Sequence, residues 1–254
     1  MLTFWGNYIT KNRVLQMSGH SKWSTIKHAK GLKDAARSAN FTKLAREITM
    51  AAKLGDPNPD NNSRLRLAIL SARKESMPND NIKRAIEKSQ GSGAENYETA
   101  RYEGYGPGSV PIIVEAMTDN PRRTAPEIKN IFAKNGGNLG EMGSVSFMFT
   151  QKGAIYYPLS VAKTADDMME IIMNANADDL ETSDEGYIVY TKPETFAAVQ
   201  KALNDKLGEP EKAEIEWTPN NPVELDDEKL STLEKLVDAL DDNDDVQKVF
   251  TAAM

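Results

Sequence analysis

Cysteine is absent from the 254-residue chain, which removes disulfides, thiolate nucleophiles, Cys-ligated zinc and iron–sulfur clusters together. Histidine is nearly absent. The two present, His20 and His28, lie in a Lys-rich stretch without paired carboxylates, so neither a metal site nor an acid–base dyad is expected, and phosphates or backbone are their natural neighbours. No apolar run approaches the roughly 20 residues that span a bilayer, so no membrane partner is expected. Nucleotide loops are missing as well. Gly104-Tyr105-Gly106-Pro107-Gly108 lacks a following Lys-Ser/Thr, and Pro107 removes an N–H that a phosphate would use. The run from Gly136 to Ser144 sits between a helix and a strand, the reverse of the order a dinucleotide fingerprint needs. Both are expected to be turn glycines. Asp241-Asp242-Asn243-Asp244-Asp245 lacks the Gly and closing Glu of a calcium loop and is expected to be a helix end followed by a solvated turn. No catalytic residue, metal or cofactor is assigned, and a non-enzymatic role follows.

What is present is a strong polarity of charge. The formal net charge is −7, yet Ser18–Lys88 carries fifteen Lys and Arg against seven Asp and Glu, a net of +8. Ser89–Met254 holds fourteen bases and thirty-one acids, a net of −17. Such a chain suits a polyanionic partner at one end and an acidic, soluble, repelling remainder at the other. A merely solvated basic helical face is the plainer alternative. With 39% hydrophobic and 27% charged residues, the balance is that of a globular protein, and a reducing, cytoplasmic setting is expected.

Residues 1–16 are expected to be a leader or disordered extension, with Met17 beginning the working protein. They hold Phe4, Trp5, Tyr8 and Ile9 without an acid, unlike a transit or secretory signal. Residues 17–93 form a basic helical domain. Asp34 can cap a helix to about Lys53, a second runs from about Asn62 to Glu75, and a third follows Met77-Pro78. Beyond Gly93, strands are expected at Val110–Met117 and Val145–Phe149, with a helix from Asp119-Asn120-Pro121 to about Asn135 between them. Residues 151–219 order themselves as βαββαβ, the ferredoxin-like pattern. Asp226/Asp227 then start a helix, and Val246–Phe250 is a short strand. The fold expected is α+β: the helical domain followed by two ferredoxin-like α/β domains, one (residues 151–219) inserted in the other (residues 94–150 plus 220–254).

The strongest constellation is basic. Lys22, Lys27, Lys30 and Lys33 precede the first helix, and Arg37, Lys43 and Arg46 lie within it. His20 adds a hydrogen-bonding group and His28 another. Cations neutralise phosphates and release counterions, while Trp23 can stack on an unpaired base or anchor the segment to a core. Arg122, Arg123 and Lys134 make a secondary candidate patch, equally explicable as surface charge. No short base-reading code is visible in any helix.

The run Gly19-His20-Ser21-Lys22-Trp23, with Ile26-Lys27-His28 and Phe41-Thr42-Lys43-Leu44, resembles the opening of the YebC/PmpR family. Tyr102-Glu103-Gly104-Tyr105-Gly106-Pro107-Gly108, Thr118-Asp119-Asn120, Arg123-Thr124, Gly143-Ser144-Val145 and Asp244-Asp245-Val246-Gln247 continue the resemblance to the C-terminus. It implies a helical domain and two α/β domains, one inserted in the other, and no enzymatic activity. It also implies a nucleic-acid-binding regulator, in the first place of transcription on DNA; the alternative, as for a mitochondrial translational activator among the relatives, is regulation of protein synthesis on RNA and the ribosome. Residues 1–16 have no counterpart in the family. Ser38-Ala39-Asn40 stands where many members carry extra Lys, which weakens the basic surface.

Overall fold

The computed structural model describes residues 35–90, 97–162, 164–184 and 186–254. Among the described residues three α-helices come first: α1 (Ala35–Leu54), α2 (Ser63–Lys74) and α3 (Asn79–Lys88). Their apolar residues recur at spacings of three and four, so each helix turns one face inward. Ile48, Ala51 and Ala52 of α1 meet Leu65, Ala68, Ile69 and Ala72 of α2 and Ile82 and Ala85 of α3 in one core. Asn62 joins the first two helices. Its side-chain oxygen accepts from the Leu65 amide at 3.0 Å, capping α2, while its Nδ2 donates to the Ala51 carbonyl at 2.8 Å. An Asn at this position satisfies an otherwise orphaned helix N–H.

The remainder runs β1 (Glu98–Tyr105), β2 (Pro111–Thr118), α4 (Pro121–Lys134), β3 (Asn138–Leu139), β4 (Phe149–Tyr157) and α5 (Ala165–Asn174). It continues with β5 (Asp179–Thr182), β6 (Tyr187–Thr191), α6 (Phe196–Leu207), β7 (Lys212–Pro219), α7 (Asp227–Asp241) and β8 (Val246–Thr251). One sheet has the order β3-β1-β2-β8 and the other β5-β6-β4-β7. Every neighbouring pair in both is antiparallel. The second sheet is ferredoxin-like, βαββαβ. The first repeats its layout, with β2, α4 and β3 standing where β4, α5 and β5 stand, and α7 and β8 where α6 and β7 stand. The place of β6 is filled by β1. The first sheet is thus a ferredoxin-like sheet whose third strand comes first in the chain, and the second unit is inserted where that strand would otherwise follow.

Two expectations are corrected here. Val145–Phe149 is not a strand of the first sheet: Ser146–Met148 form a 3-10 turn, and Phe149 begins β4. Val145 and Phe149 are buried and Phe147 is exposed, so the alternation is real, but a turn produces it. The edge strand beside β1 is instead the two-residue β3. The strand lacking from the expected order is β1, a central strand disguised by charge, since Glu103 within it is buried.

The glycine runs serve geometry, as expected of turn residues. Gly108, between β1 and β2, has φ of +72°, and a Cβ there would stand 2.6 Å from the Leu225 side chain. Gly136, just past α4, has φ of +75°, the left-handed conformation that closes a helix at little cost only for glycine.

Ile112, Val114, Ile128, Phe132 and Phe250 pack with Leu233, Leu236, Val237 and Leu240 of α7 to form the core of the first sheet. Ile155, Met168, Ile172, Val189, Val199 and Leu203 form that of the second. Among the described residues no helix is long and apolar enough to cross a membrane. Leu233 is fully buried, so Leu233→Ala should cost about 2–5 kcal/mol. Urea unfolding would show it as a lower midpoint at unchanged m value, and a loss under about 0.5 kcal/mol would contradict this packing.

Candidate nucleic-acid interface

Of the basic residues singled out above, His20, Lys22, Trp23, Lys27, His28, Lys30 and Lys33 lie outside the described residues, and of Arg37 only its backbone within α1 is described. Lys43 and Arg46 are placed, and they face the first α/β unit. Lys43 Nζ donates to the Asp241 carbonyl. Arg46 Nη1 donates to the carbonyls of Met117 (3.2 Å) and Asp244 and to Asp245 Oδ1 at 2.8 Å. The Tyr97 ring centroid lies 5.3 Å from the guanidinium carbon, a cation–π distance. The Arg46 side chain is 13% exposed. These two cations therefore fasten α1 to the turn between α7 and β8.

Asp245 is the centre of that junction. It is 3% exposed, which corrects the expectation of a solvated turn. Its Oδ2 accepts from Thr124 Oγ1 at 2.6 Å, from Thr118 Oγ1 at 3.2 Å and from Arg123 Nη2 at 3.0 Å. Thr124 Oγ1 also lies 2.8 Å from Thr118 Oγ1. Thr118 ends β2, and Asn120 caps α4 by accepting from the Arg123 amide at 3.3 Å. A strand end, a helix start and a loop thus converge on one carboxylate, with Arg46 arriving from the helical unit. Burial alone would raise the Asp245 pKa. Hydrogen bonds from Thr124 and Arg123 and the charges of Arg46 and Arg123 outweigh it and hold the group below the usual aspartate value.

The secondary patch does not form one surface. Arg123 reaches back to Asp119 at 2.9 Å and to Asp245. Arg122 and Lys134 are exposed at opposite ends of α4, separated by about 18 Å of helix axis. Arg73, Lys83 and Arg84, which no motif in the sequence singles out, are exposed on α2 and α3.

Other internal contacts draw the acidic remainder onto the basic helices. Arg66 Nε pairs with Glu209 at 2.8 Å, and Lys74 lies 3.6 Å from Glu211. The two α/β units are joined by Trp217 of β7, which enters the core of the first sheet and donates its indole N–H to Glu115 at 2.9 Å. Arg101 lies over the same ring at 5.1 Å. Lys248 of β8 pairs with Glu214 of β7 at 2.7 Å. Burial disfavours the charged form of Glu214, but Lys248 and Lys212 overcome it and hold its pKa at about 2.

Two matches cover nearly the whole of the described chain. Residues 97–253 match the family model of the TACO1/YebC second and third domain, and residues 21–92 match that of the TACO1/YebC protein N-terminal domain. The chain belongs to the TACO1/YebC family. It is also similar to a solved structure, a conserved hypothetical protein, Aq1575, from Aquifex aeolicus. The two are 42% identical with a TM-score of 0.78, over 92% of this chain and 96% of that one.

The separated motifs that carry the family resemblance meet at two carboxylates. Thr118, Asn120, Arg123, Thr124 and Asp245 form the junction with Arg46. Glu103, from the Tyr102–Gly108 run, accepts from the amides of Val145 and Ser146, both at 2.9 Å. Tyr105 Oη donates to the Ser144 carbonyl at 3.0 Å. Among the described residues, no group of three or more His, Asp or Glu is arranged to hold a metal ion.

The lowered pKa of Asp245 predicts an acid-labile junction. A carboxylate with a depressed folded pKa stabilises the fold fully above its unfolded value and loses that contribution as pH falls through the folded one. The stability difference between the wild type and Asp245→Asn should therefore be largest above about pH 4 and shrink below it. Thermal melts of both proteins across that range would measure it, and a pH-independent difference would contradict the assignment.

Proposed function

We propose that this protein is a nucleic-acid-binding regulator of gene expression that grips the phosphate backbone through its helical unit rather than reading bases. The observation that carries the reading is the segregation of charge, +8 over Ser18–Lys88 against −17 over Ser89–Met254, in a chain of a family whose members are regulators. Exposed Arg73, Lys83 and Arg84 add to the cations that precede α1. Backbone contact of this kind supplies affinity without sequence information.

Between the two nucleic acids, RNA in the translation apparatus is favoured over promoter DNA by one feature. The side of α1 that carries Lys43 and Arg46 is turned onto Asp241–Asp245, so this longest of the described helices does not offer those side chains to a major groove, where a recognition helix would place them. The DNA reading rests on the transcription-regulator label of the model matched by residues 97–253. With either role we propose a cytoplasmic setting.

Affinity for random-sequence RNA and duplex DNA, measured at several salt concentrations, tests the shared chemistry. If about six phosphates are contacted, log affinity should fall against log salt with a slope of about −5. A flat salt dependence would contradict backbone gripping. Sedimentation of cell extract separates the roles: the protein should travel with ribosomal fractions, and its absence from all of them together with tight binding to one promoter sequence would favour the DNA role.

A further inference from the structure

Lys43 and Arg46 are cations of the basic helical unit, yet in this structure Lys43 is occupied by the acidic turn and Arg46 by that turn and the end of β2. The occupying groups are backbone carbonyls of Met117, Asp241 and Asp244 and one carboxylate, that of Asp245. The fit is incomplete. All three polar contacts of Arg46 run through Nη1, and its Nε is buried without a hydrogen-bond partner. A guanidinium has five donors arranged as a fork, and its strongest contacts are bidentate, to a carboxylate or a phosphate. An unsatisfied buried donor is costly. Asp245 in turn divides its two oxygens among Arg46, Arg123, Thr118 and Thr124, so it offers Arg46 one oxygen rather than two. The turn therefore holds Arg46 by a contact that a phosphate could improve on.

We infer that the acidic turn Asp241–Asp245 is an internal competitor for nucleic acid. It covers a second phosphate-binding face, Lys43 and Arg46 of α1, which becomes available when the helical unit parts from the first α/β unit. This inference rests on the reading above, and the nucleic acid it concerns is any phosphate backbone. The apparent affinity of such a face is its intrinsic affinity reduced by the small fraction of molecules that are open. Weakening the closed contact raises that fraction and so raises the affinity, with no new contact to the ligand.

The decisive comparison uses the full chain with three single variants, each removing one negative charge from the same turn. Asp245→Asn breaks the pair with Arg46. Asp242→Asn and Asp244→Asn change exposed side chains and leave that pair intact. Affinities for random-sequence single-stranded RNA and duplex DNA are measured at low ionic strength, where phosphate contacts are strongest, with circular dichroism checking that each variant is folded. Asp245→Asn should bind about fivefold or more tightly, on both probes if the shared backbone is what is recognised and on one alone if its shape matters. The two control variants should bind within about twofold of the wild type. Adding Arg46→Gln to Asp245→Asn should abolish the gain, because the uncovered cation is then missing.

Should Asp245→Asn prove unfolded, Thr124→Val takes its place, since it removes one hydrogen bond to the same carboxylate while keeping the charge. Equal gains in all three charge variants would mean general electrostatics and overturn the inference. So would unchanged affinity in a folded junction variant of a protein that binds nucleic acid. If no form binds either probe, the nucleic-acid reading itself fails and the inference goes with it.

Discussion

The whole arrangement depends on one buried carboxylate. Asp245 sits where β8 begins, and burying it unpaired would be prohibitive. It therefore demands partners, and it takes them from three places: Thr118 at the end of β2, Thr124 and Arg123 in the first turn of α4, and Arg46 of α1. Removing one partner of such a pair leaves the other charge buried and uncompensated, which costs more than the pair itself contributes. The orientation of the helical unit on the sheets is set by this requirement. A hydrophobic patch could hold two surfaces together with as much energy, but it would specify their angle less closely.

The same logic governs the other connections. Glu103 is buried in a central strand with its oxygens taken by three groups: the Val145 and Ser146 amides just before the inserted unit, and the Arg101 side chain at 3.1 Å. Trp217 brings the last strand of the inserted unit into the core of the first sheet, and its indole N–H is satisfied by Glu115. A unit inserted into another must leave and re-enter through two neighbouring points. Glu103 fixes the exit, and Trp217 with the Glu214–Lys248 pair fixes the return.

Local patterns revealed the elements that depend on local physics. The three helices of the basic unit are legible from apolar spacing, with Asn62 and Met77-Pro78 marking where the second and third begin; the Asp34 cap expected for the first lies outside the described residues. The βαββαβ order of the inserted unit is legible because short apolar and aromatic segments of strand length succeed one another with amphipathic helices between them. What stayed hidden was non-local. The strand β1 carries Arg101 and Glu103, which pair with each other but also rely on the distant Trp217 ring and the Val145 and Ser146 amides, and no window of sequence contains Val145 beside Glu103. Asp241–Asp245 looked like solvated acid because nothing near it announces Arg46, some two hundred positions earlier. The polarity of charge is plain in the sequence, but nothing local divides it between an external partner, solvent and internal pairing. Part of it is spent internally, in Lys43, Arg46, Arg66 and Lys74 against the acidic units. The only available sign was that the acids of the turn follow directly on an amphipathic helix and precede a buried strand, a position where a solvated loop would be short of room.

The claim that Arg46 and Asp245 hold the helical unit in place is tested most directly by a double-mutant cycle. Arg46→Met, Asp245→Asn and the combination are unfolded with urea, and the coupling energy is the non-additive remainder. A coupling above about 1 kcal/mol is predicted, of the size found for contacting residues in one network. Additive losses, with a remainder indistinguishable from zero, would mean that the two side chains do not support each other and that something else positions the helices.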